Sequence, residues 1–382
     1  MSIMTPKITR FLTQNDPATP CLIVDLDSVE QQFSTMKHHF DGASIYYAIK
    51  ANPAPAILKR LNALGAFFDV ASLGEIQQCL AAGISAEKLS FGHTVKNTHA
   101  LREAHKLGVS LFAFDCEEEL HKIARYAPNS RVFCRLTVLN TGADWPLSDK
   151  FGTTTDHAYE LMLQAEQLNL KATGLSFHVG SQQTSAEAYQ QAIAQASTLF
   201  QRLQSQGLAL DLLNIGGGLP SHYTRSVPDI DYFSTAINQA LSEHFPHQRP
   251  RIMLEPGRAL VGDAGVVRSE VVLTSRRGGA PTDPRWVYLD IGRFGGLAET
   301  EGEAIRYRFR TPHDDTSHSQ SPCIIAGPTC DSVDVMYEKN RMTLPDELAS
   351  GDKILILATG AYVSTYCSTG FNGFAPLNEY YI

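Results

Sequence analysis

The stretch SIYYAIKANPAPAILKRLNALGAFFDVASLGEIQQCLAAGISAEKLSFGH, residues 44–93, decides the fold. Two amphipathic segments in it, 54–64 and 73–83, predict helices. Because a helix separates each strand-like run from the next, the strands are expected to pair in parallel. These runs are short and rich in β-branched and aromatic residues, as buried strands are: 45–49, 67–70 and 89–91.

The same alternation continues to Glu255, and eight strand–helix units favour a closed (β/α)8 barrel over an open sheet. We place this domain at residues 27–260. The five further strand-like runs are 111–114, 132–136, 174–177, 212–215 and 252–254. The other helical segments are 28–40, 96–107, 117–127, 155–169, 185–207 and 229–245.

The remainder, residues 261–382, has little helical pattern and predicts a mostly β domain. The run 21–24 precedes the first helix of the barrel series, so the N-terminal segment 1–26 is assigned to the same domain. A polar tract at 311–321 predicts an exposed loop. The strand-like runs of this domain are 266–273, 286–289, 324–326 and 353–357.

The composition of the chain argues against several classes of function. The 382 residues carry a net charge of −8, with 32 basic and 40 acidic residues, which argues against binding to nucleic acid or to an anionic membrane surface. The N-terminus lacks the apolar core of a signal peptide, and no apolar stretch is long enough to span a bilayer. Seven cysteines, an odd number without a CxxC pair, predict reduced thiols and a cytoplasmic location.

Titratable side chains or a glycine run close seven of the eight predicted barrel strands. In a (β/α)8 barrel the loops after the strands form one rim, where catalytic groups gather. Solvent exposure alone explains one charged strand end but not this many. The residues are Lys50, Asp69, His93, Arg135, His178, the run Gly216-Gly217-Gly218, and Glu255.

Each of these positions also has an ordinary structural interpretation. Lys50 is either a surface lysine at a strand end or an amine that forms a Schiff base. The glycine run is either a flexible turn or a set of backbone amides that bind a phosphate. His178 is either a packed core histidine or a ring that stacks on a cofactor. The segment 255–258, Glu-Pro-Gly-Arg, has the surface turn with an ion pair as its alternative.

Two kinds of site are not indicated. The chain has neither an HExxH motif nor paired-cysteine spacing, so no metal site is predicted. No GxGxxG follows a strand near the start of the chain, which argues against a dinucleotide cofactor.

Taken together, the motifs resemble those of the fold-type III pyridoxal-phosphate (PLP) decarboxylases, the ornithine/diaminopimelate/arginine decarboxylase family. The resemblance extends over nearly the whole chain, from Thr19 to Phe374. It implies the alanine racemase-like fold, a (β/α)8 barrel with a β-rich domain. The motifs, in family order, are YAIKAN (47–52), FDVAS (68–72), SFHVGS (176–181), IGGG (215–218), EPGR (255–258), GPTCDS (327–332) and GAY (360–362).

The resemblance implies that PLP is the cofactor and that Lys50 holds it as an imine. His178 would stack on the pyridine ring, and Glu255 would pair with the ring nitrogen. A carboxylate there keeps the ring protonated and able to accept electrons, which favours decarboxylation. The phosphate would be held by Ser181, Gly218, Arg258 and Tyr362. The other cofactor-binding residues are Asp69, Arg135, Gly216, Gly217 and Gly257.

The same resemblance assigns proton donation at the substrate Cα to Cys330, for which a small buried hydrophobe is the alternative. Asp331 would face the distal amine of a basic substrate, since a buried ammonium needs a partner. In this family the Cys-Asp segment serves the other subunit's active site, which implies a homodimer with shared sites. Lys150 and Asp334 match a pair that bridges the interface.

The implied reaction is decarboxylation of a basic amino acid, L-ornithine to putrescine and CO2, or L-lysine to cadaverine. The segment 296–303 should form a short helix that measures substrate length, with Glu303 as a second acidic contact. Relatives usually carry Met-Asp where Glu301-Gly302 stand here, so the choice between these substrates stays open.

Three alternatives remain. A diaminopimelate decarboxylase usually carries glutamate at the position of Asp331, and an alanine racemase uses arginine in place of Glu255. A catalytically inactive regulatory homologue would normally have lost the imine lysine or the proton-donating cysteine, and both positions are intact.

Overall fold

A computed structural model describes residues 4–145, 150–317 and 319–382. The chain divides into two compact units. The first comprises Glu30–Pro220 and Val227–Ala259. The second comprises the described residues up to Val29, Ser221–Ser226 and Leu260–Ile382. The domain limits 27–260 and 261–382 stay a prediction, and the inclusion of Ser221–Ser226 in the second unit was not expected from the sequence.

The first unit contains a closed barrel of eight parallel strands, which confirms the predicted fold class. The barrel closes where Met253 and Leu254 of the last strand pair with Ser44 and Ile45 of the first. In chain order the strands are Ser44–Ala48, Phe67–Val70, Leu89–Phe91, Leu111–Phe114, Arg131–Arg135, Lys171–Ser176, Leu212–Asn214 and Arg251–Leu254.

Helices follow the strands as the sequence pattern predicts, within a few residues at each end. Several begin at a polar cap: the side chain of Ser72 accepts from Glu75 N at 3.2 Å, and that of Asn97 accepts from Ala100 N at 2.7 Å. The helices are Leu26–His39, Pro55–Ala63, Leu73–Ala81, Thr98–Lys106, Glu117–Tyr126, Thr155–Gln167, Glu187–Ser205, Ile230–His244 and Arg258–Val261.

Side chains fill the barrel interior. Leu111, Ala113, Phe133, Leu212 and Met253 form one buried apolar cluster from four different strands. A barrel filled in this way is a packed core and not a channel, so its chemistry is confined to the ends of the strands. A small antiparallel pair, Ala143–Trp145 with Ser181–Gln183, was not predicted.

The second unit contains a nine-stranded mixed sheet. Cys21–Val24 runs antiparallel to Gly265–Arg276 on one side and parallel to Asn378–Tyr381 on the other. A helix, Pro6–Asn15, precedes it. The remaining strands are Arg285–Leu289, Arg308–Arg310, Gln320–Ala326, Val335–Met336, Met342–Pro345 and Lys353–Leu357.

Two details of the second unit differ from the sequence prediction. The strand predicted at 324–326 begins at Gln320, so the end of the polar tract 311–321 is strand and not loop. Antiparallel pairing of Gln320–Cys323 with Met342–Pro345 explains the extension, since backbone pairing does not require apolar side chains.

No helix in the described ranges combines the length and apolar character that a membrane crossing requires.

Candidate active site

The rim of the barrel brings an amine and two carboxylates together. Lys50 lies in a 3-10 turn, Ile49–Ala51, directly after the first strand, and it is exposed while both neighbours are buried. Ala48 pairs with Asp69 on the adjacent strand. The positive charge of Lys50 opposes the rise in pKa of Asp69 and of Glu255, and it lowers the pKa of His178. Four of the predicted residues therefore share one electrostatic environment.

The carboxyl group of Asp69 lies in a crowded environment that disfavours its ionised form. Burial raises the pKa of its carboxyl well above the usual value, and the negative charge of Glu255 raises it further. Its Oδ1 atom is buried without a hydrogen-bond partner. A side chain at Gly92 would collide with this carboxyl group, so the loop after the third barrel strand has a glycine where it passes Asp69. A buried polar atom without a partner is costly and is consistent with a ligand that would satisfy it.

Glu255 follows the last barrel strand, and its Oε1 accepts a hydrogen bond from Asn214 Nδ2 at 2.5 Å. Burial raises the pKa of this carboxyl, whereas the Asn214 hydrogen bond and the cations of Arg135 and Lys50 lower it. The carboxylate is thus half-buried and surrounded by groups that favour its ionised form.

His178 is held in one protonation state. Its Nδ1 accepts from the backbone N–H of Gly180 at 3.1 Å, so the proton of the neutral ring is on Nε2. Burial lowers the pKa of His178 well below its usual value, and the charges of Arg135 and Lys50 lower it further. A neutral imidazole is suited to stacking on a cationic aromatic ring, because it adds no second positive charge.

The glycine run fits between two loops that leave no room for side chains. A Cβ at Gly216 would meet the carbonyl of Phe177, and one at Gly218 would meet the carbonyl of Gly180. A Cβ at Gly217 would lie 2.5 Å from the carbonyl oxygen of Glu255. Gly216 and Gly218 also have positive φ angles, 69° and 103°. The run is therefore a built cradle whose backbone can approach a ligand closely.

A buried cation lies beside this cradle in the same unit. Arg258 is only 3% exposed, and its Nε and NH2 groups donate to Ser181 Oγ at 3.3 and 3.2 Å. Gly257, just before it, is buried. An arginine, a hydroxyl and unhindered backbone amides are the donors that proteins use to hold a phosphate.

Arg135 and His93 share a contact with Phe151. The Arg135 guanidinium lies 5.3 Å from the Phe151 ring centroid, and the His93 ring meets the same ring edge-on at 5.6 Å. Both residues therefore line the rim as predicted, and the structure adds Phe151 as the surface on which they rest.

Five predicted residues belong to the second unit, among them Cys330, Asp331 and Tyr362. Cys330 is exposed, and its backbone N–H donates to Asn372 Oδ1 at 2.8 Å. Asp331 accepts from the N–H of Val333 at 3.0 Å. Tyr362 has a positive φ of 60°. Their predicted roles in proton transfer, substrate binding and phosphate binding stay predictions.

Glu303 and Asp334 are already engaged within their own unit. Glu303 accepts from the backbone N–H groups of Lys339 and Asn340 at 2.7 and 3.1 Å, and pairs with Arg306 at 3.2 Å. Asp334 is 2% exposed and accepts from Arg293 N at 2.7 Å and from Thr329 Oγ1 at 2.7 Å. A substrate amine at Glu303, or Lys150 of another chain at Asp334, would have to bind in addition to these donors.

The predicted short helix at 296–303 is present as a 3-10 segment, Ala298–Glu303, but it is interrupted. Glu301 has extended dihedral angles and Gly302 is left-handed, with φ 61°. Glu301 pairs with Arg293 at 3.3 Å. The backbone of this segment is therefore not helical at Glu301-Gly302.

Two features of the barrel unit were missed. Asn214 reads as the end of an apolar run, and only its contact with Glu255, 41 residues later, reveals a role. Lys96 begins the predicted helical segment 96–107 and was given no role, yet its side chain is fully buried, 2.9 Å from Glu119. Its ammonium also donates to the carbonyls of His93 and Ala113 at 2.7 and 2.6 Å, which ties the loop after the third barrel strand to the fourth strand. Burial lowers the pKa of Lys96 to about 8.

A barrel rim with an amine, a half-buried carboxylate and a glycine run beside a buried arginine has the groups that a PLP-dependent enzyme requires. The family model described as "Pyridoxal-dependent decarboxylase, pyridoxal binding domain" matches residues 26–262. The chain belongs to this family.

Known decarboxylases are similar to this chain over nearly its whole length. A lysine/ornithine decarboxylase of Selenomonas ruminantium is 34% identical, covering 97% of this chain and 91% of the relative. The crystal structure of a Vibrio vulnificus lysine/ornithine decarboxylase complexed with putrescine has a TM-score of 0.86 at 32% identity, covering 98% of this chain and 97% of that one. The arginine decarboxylase of Paramecium bursaria Chlorella virus has a TM-score of 0.89 at 29% identity, covering 98% and 99%. This chain is therefore a decarboxylase whose cofactor is PLP.

The residues present fit the cofactor. The glycine cradle with Arg258 and Ser181 suits a phosphate, and the unpartnered Asp69 Oδ1 lies with Glu255 and Lys50 in one electrostatic cluster.

Proposed function

We propose that this chain decarboxylates L-ornithine to putrescine and CO2, and that L-lysine is its second substrate, giving cadaverine. The observation that carries the decarboxylation chemistry is the exposed Lys50 amine in the same electrostatic cluster as the half-buried Glu255 carboxylate. Similarity to lysine/ornithine decarboxylases over nearly the whole chain supports the substrate class.

When bound, PLP supplies a ring that accepts the electron pair left behind as CO2 departs. Lys50 would hold the cofactor through its side-chain amine. Glu255 holds a proton at the ring nitrogen, because a nearby carboxylate favours the cationic form. The arginine that a racemase would use at this position would not favour a protonated ring nitrogen. Neutral His178 covers the ring, and Arg258, Ser181 and the glycine run hold the phosphate.

Cys330 donates the proton that replaces the carboxyl group at the substrate Cα, and Asp331 binds the distal ammonium. Aspartate, rather than glutamate, argues against diaminopimelate as the substrate. We propose that both residues act in the active site of a partner subunit, so that the enzyme is a homodimer with shared sites. Lys150 and Asp334 are the proposed interface pair, and Glu303 is a secondary candidate for the distal ammonium.

The reduced state of the seven cysteines fits a cytoplasmic enzyme of polyamine biosynthesis, and all seven are free thiols in the structure. We further propose that residues 27–260 are the PLP-binding domain and that 261–382, with 1–26, form the second domain.

Release of CO2 from L-ornithine, L-lysine, L-arginine and meso-diaminopimelate tests the substrate assignment. The expected order of kcat/KM has ornithine first and lysine second. Preference for arginine or diaminopimelate would overturn it. Absence of CO2 from all four, with no visible absorbance band from bound cofactor, would instead support the inactive homologue.

A further inference from the structure

The strongest unassigned feature is Asn214, the last residue of the seventh barrel strand. It is fully buried, and its backbone carbonyl accepts from Phe177 N at 3.1 Å. Its side chain makes two further hydrogen bonds, to Gly216 and to Glu255. None of the roles assigned above includes this residue.

The orientation of the Asn214 amide follows from its partners. The backbone N–H of Gly216, 2.9 Å away, can only donate, so the atom that faces it is the oxygen Oδ1. The Nδ2 group is then directed at Glu255 Oε1, at 2.5 Å. The reversed amide would place two donors together at Gly216 and two acceptors together at Glu255. Only one arrangement satisfies both contacts.

A third bond closes the unit, because Glu255 N donates to the carbonyl of Gly216 at 2.8 Å. Asn214, Gly216 and Glu255 thus form one hydrogen-bonded ring, which joins the start of the glycine cradle to the half-buried carboxylate. These two elements belong to opposite ends of the cofactor in the proposed function: the phosphate and the ring nitrogen.

We propose that Asn214 is a positioning residue that holds the Glu255 carboxylate ionised and in register with the glycine cradle. This inference rests on the proposed function of Glu255. A neutral amide is suited to the task, because it stabilises the carboxylate without adding a positive charge that would compete with the protonated ring nitrogen. The other charged groups that act on Glu255 are Asp69, Arg135 and Lys50.

Two substitutions test the two side-chain hydrogen bonds of Asn214 separately. Asn214→Asp keeps an acceptor for Gly216 but places a second carboxylate against Glu255. Asn214→Leu has similar volume and removes both side-chain hydrogen bonds. The readouts are the dissociation constant of PLP by fluorescence titration, the melting temperature of the cofactor-free protein, and kcat and KM with L-ornithine.

For Asn214→Asp we expect kcat at least tenfold lower with KM little changed, together with a lower melting temperature of the cofactor-free protein, because a buried carboxyl group then lies against that of Glu255. A hydrogen bond to a charged group is worth roughly ten- to hundredfold in an equilibrium constant. Asn214→Leu should lose at least as much kcat and should also bind PLP at least tenfold more weakly. The matched control is Asn238→Ala. Asn238 lies in the helix Ile230–His244, and its amide contacts His39 O and Arg249 and no rim residue named above. This variant should leave kcat and PLP affinity unchanged.

Wild-type kcat and PLP affinity in both Asn214 variants would overturn the inference. Glu255→Gln distinguishes the two levels of the argument. If Glu255→Gln is severely impaired while both Asn214 variants are normal, only the positioning role fails. If Glu255→Gln also behaves as the wild type, the proposed role of Glu255 fails with it. A defect confined to the melting temperature would make Asn214 merely structural and would equally reject the proposal.

Discussion

Gly217→Ala is the sharpest test of the cradle. The added Cβ would lie 2.5 Å from the Glu255 carbonyl oxygen and 3.5 Å from His178 Nε2. Real Cβ atoms essentially never approach a backbone oxygen this closely, so one of the two loops must shift. Gly217 is not among the residues with positive φ, which means that the effect is steric and not conformational.

The magnitude follows from the rigidity of the obstacle, since a backbone carbonyl cannot rotate away as a flexible side chain can. Overpacking by one methyl group in such surroundings costs about 1–3 kcal/mol. If the displaced loop carries Glu255 away from the cofactor, that energy appears as a loss of PLP affinity of roughly five- to 150-fold. Fluorescence titration of the cofactor-free protein with PLP measures the affinity. Thermal unfolding measures the part of the overpacking cost that appears as lost stability.

Gly74→Ala is the matched control. Its Cβ would have one ordinary contact, Ser72 Oγ at 3.6 Å, and the residue lies in the helix Leu73–Ala81 of the same unit. That variant should bind PLP as the wild type does and gain up to about 1 kcal/mol of stability from helix propensity. Wild-type PLP affinity together with an unchanged melting temperature in Gly217→Ala would refute the proposed cradle geometry.

Three further outcomes are expected. The pKa of His178 is lowered by burial and nearby cations, so below its usual value of 6.5 the unfolded chain binds a proton that the folded chain does not. Denaturant unfolding of the cofactor-free protein from pH 7 to pH 5 should therefore show wild type losing stability relative to His178→Gln, at no more than about 1.4 kcal/mol per pH unit; parallel curves would contradict this. Cys330→Ala should divert product from amine to aldehyde through misplaced protonation, and mixing it with Lys50→Ala should restore part of the activity if the sites are shared; clean amine at full rate, or mixtures that stay inactive, would count against these roles. Glu119→Ala leaves the Lys96 ammonium buried without its carboxylate and should cost about 3–5 kcal/mol in the free energy of unfolding, measured in urea; a loss below 1 kcal/mol would show that the pair is relaxed or hydrated.

The barrel was predictable because several of its strands are buried on both faces. Leu89–Phe91 and Leu111–Phe114 are short, buried throughout and bounded by helical segments, and the structure has these two at the predicted residues. The first strand was predicted one residue late at each end, since Ile49 is apolar but belongs to the turn that carries Lys50. Hydrophobicity does not distinguish a strand residue from a buried turn residue.

The residues that support the site were less visible than those that compose it. Titratable groups at strand ends can be singled out by position alone, as Lys50, Asp69 and Glu255 were, and their roles stay predictions. Asn214 and Lys96 could not, because their function depends on partners distant in sequence or buried by the fold. In the second unit, Asn378–Tyr381 was missed because its pairing with Cys21–Val24 joins the two ends of the chain.

Borohydride reduction of the PLP-loaded enzyme, followed by proteolysis and mass spectrometry, tests the central claim most directly. The account predicts that the reduced cofactor is attached to the peptide containing Lys50 and to no other lysine. Attachment at a different lysine, or unmodified Lys50 in a fully active enzyme, would contradict it.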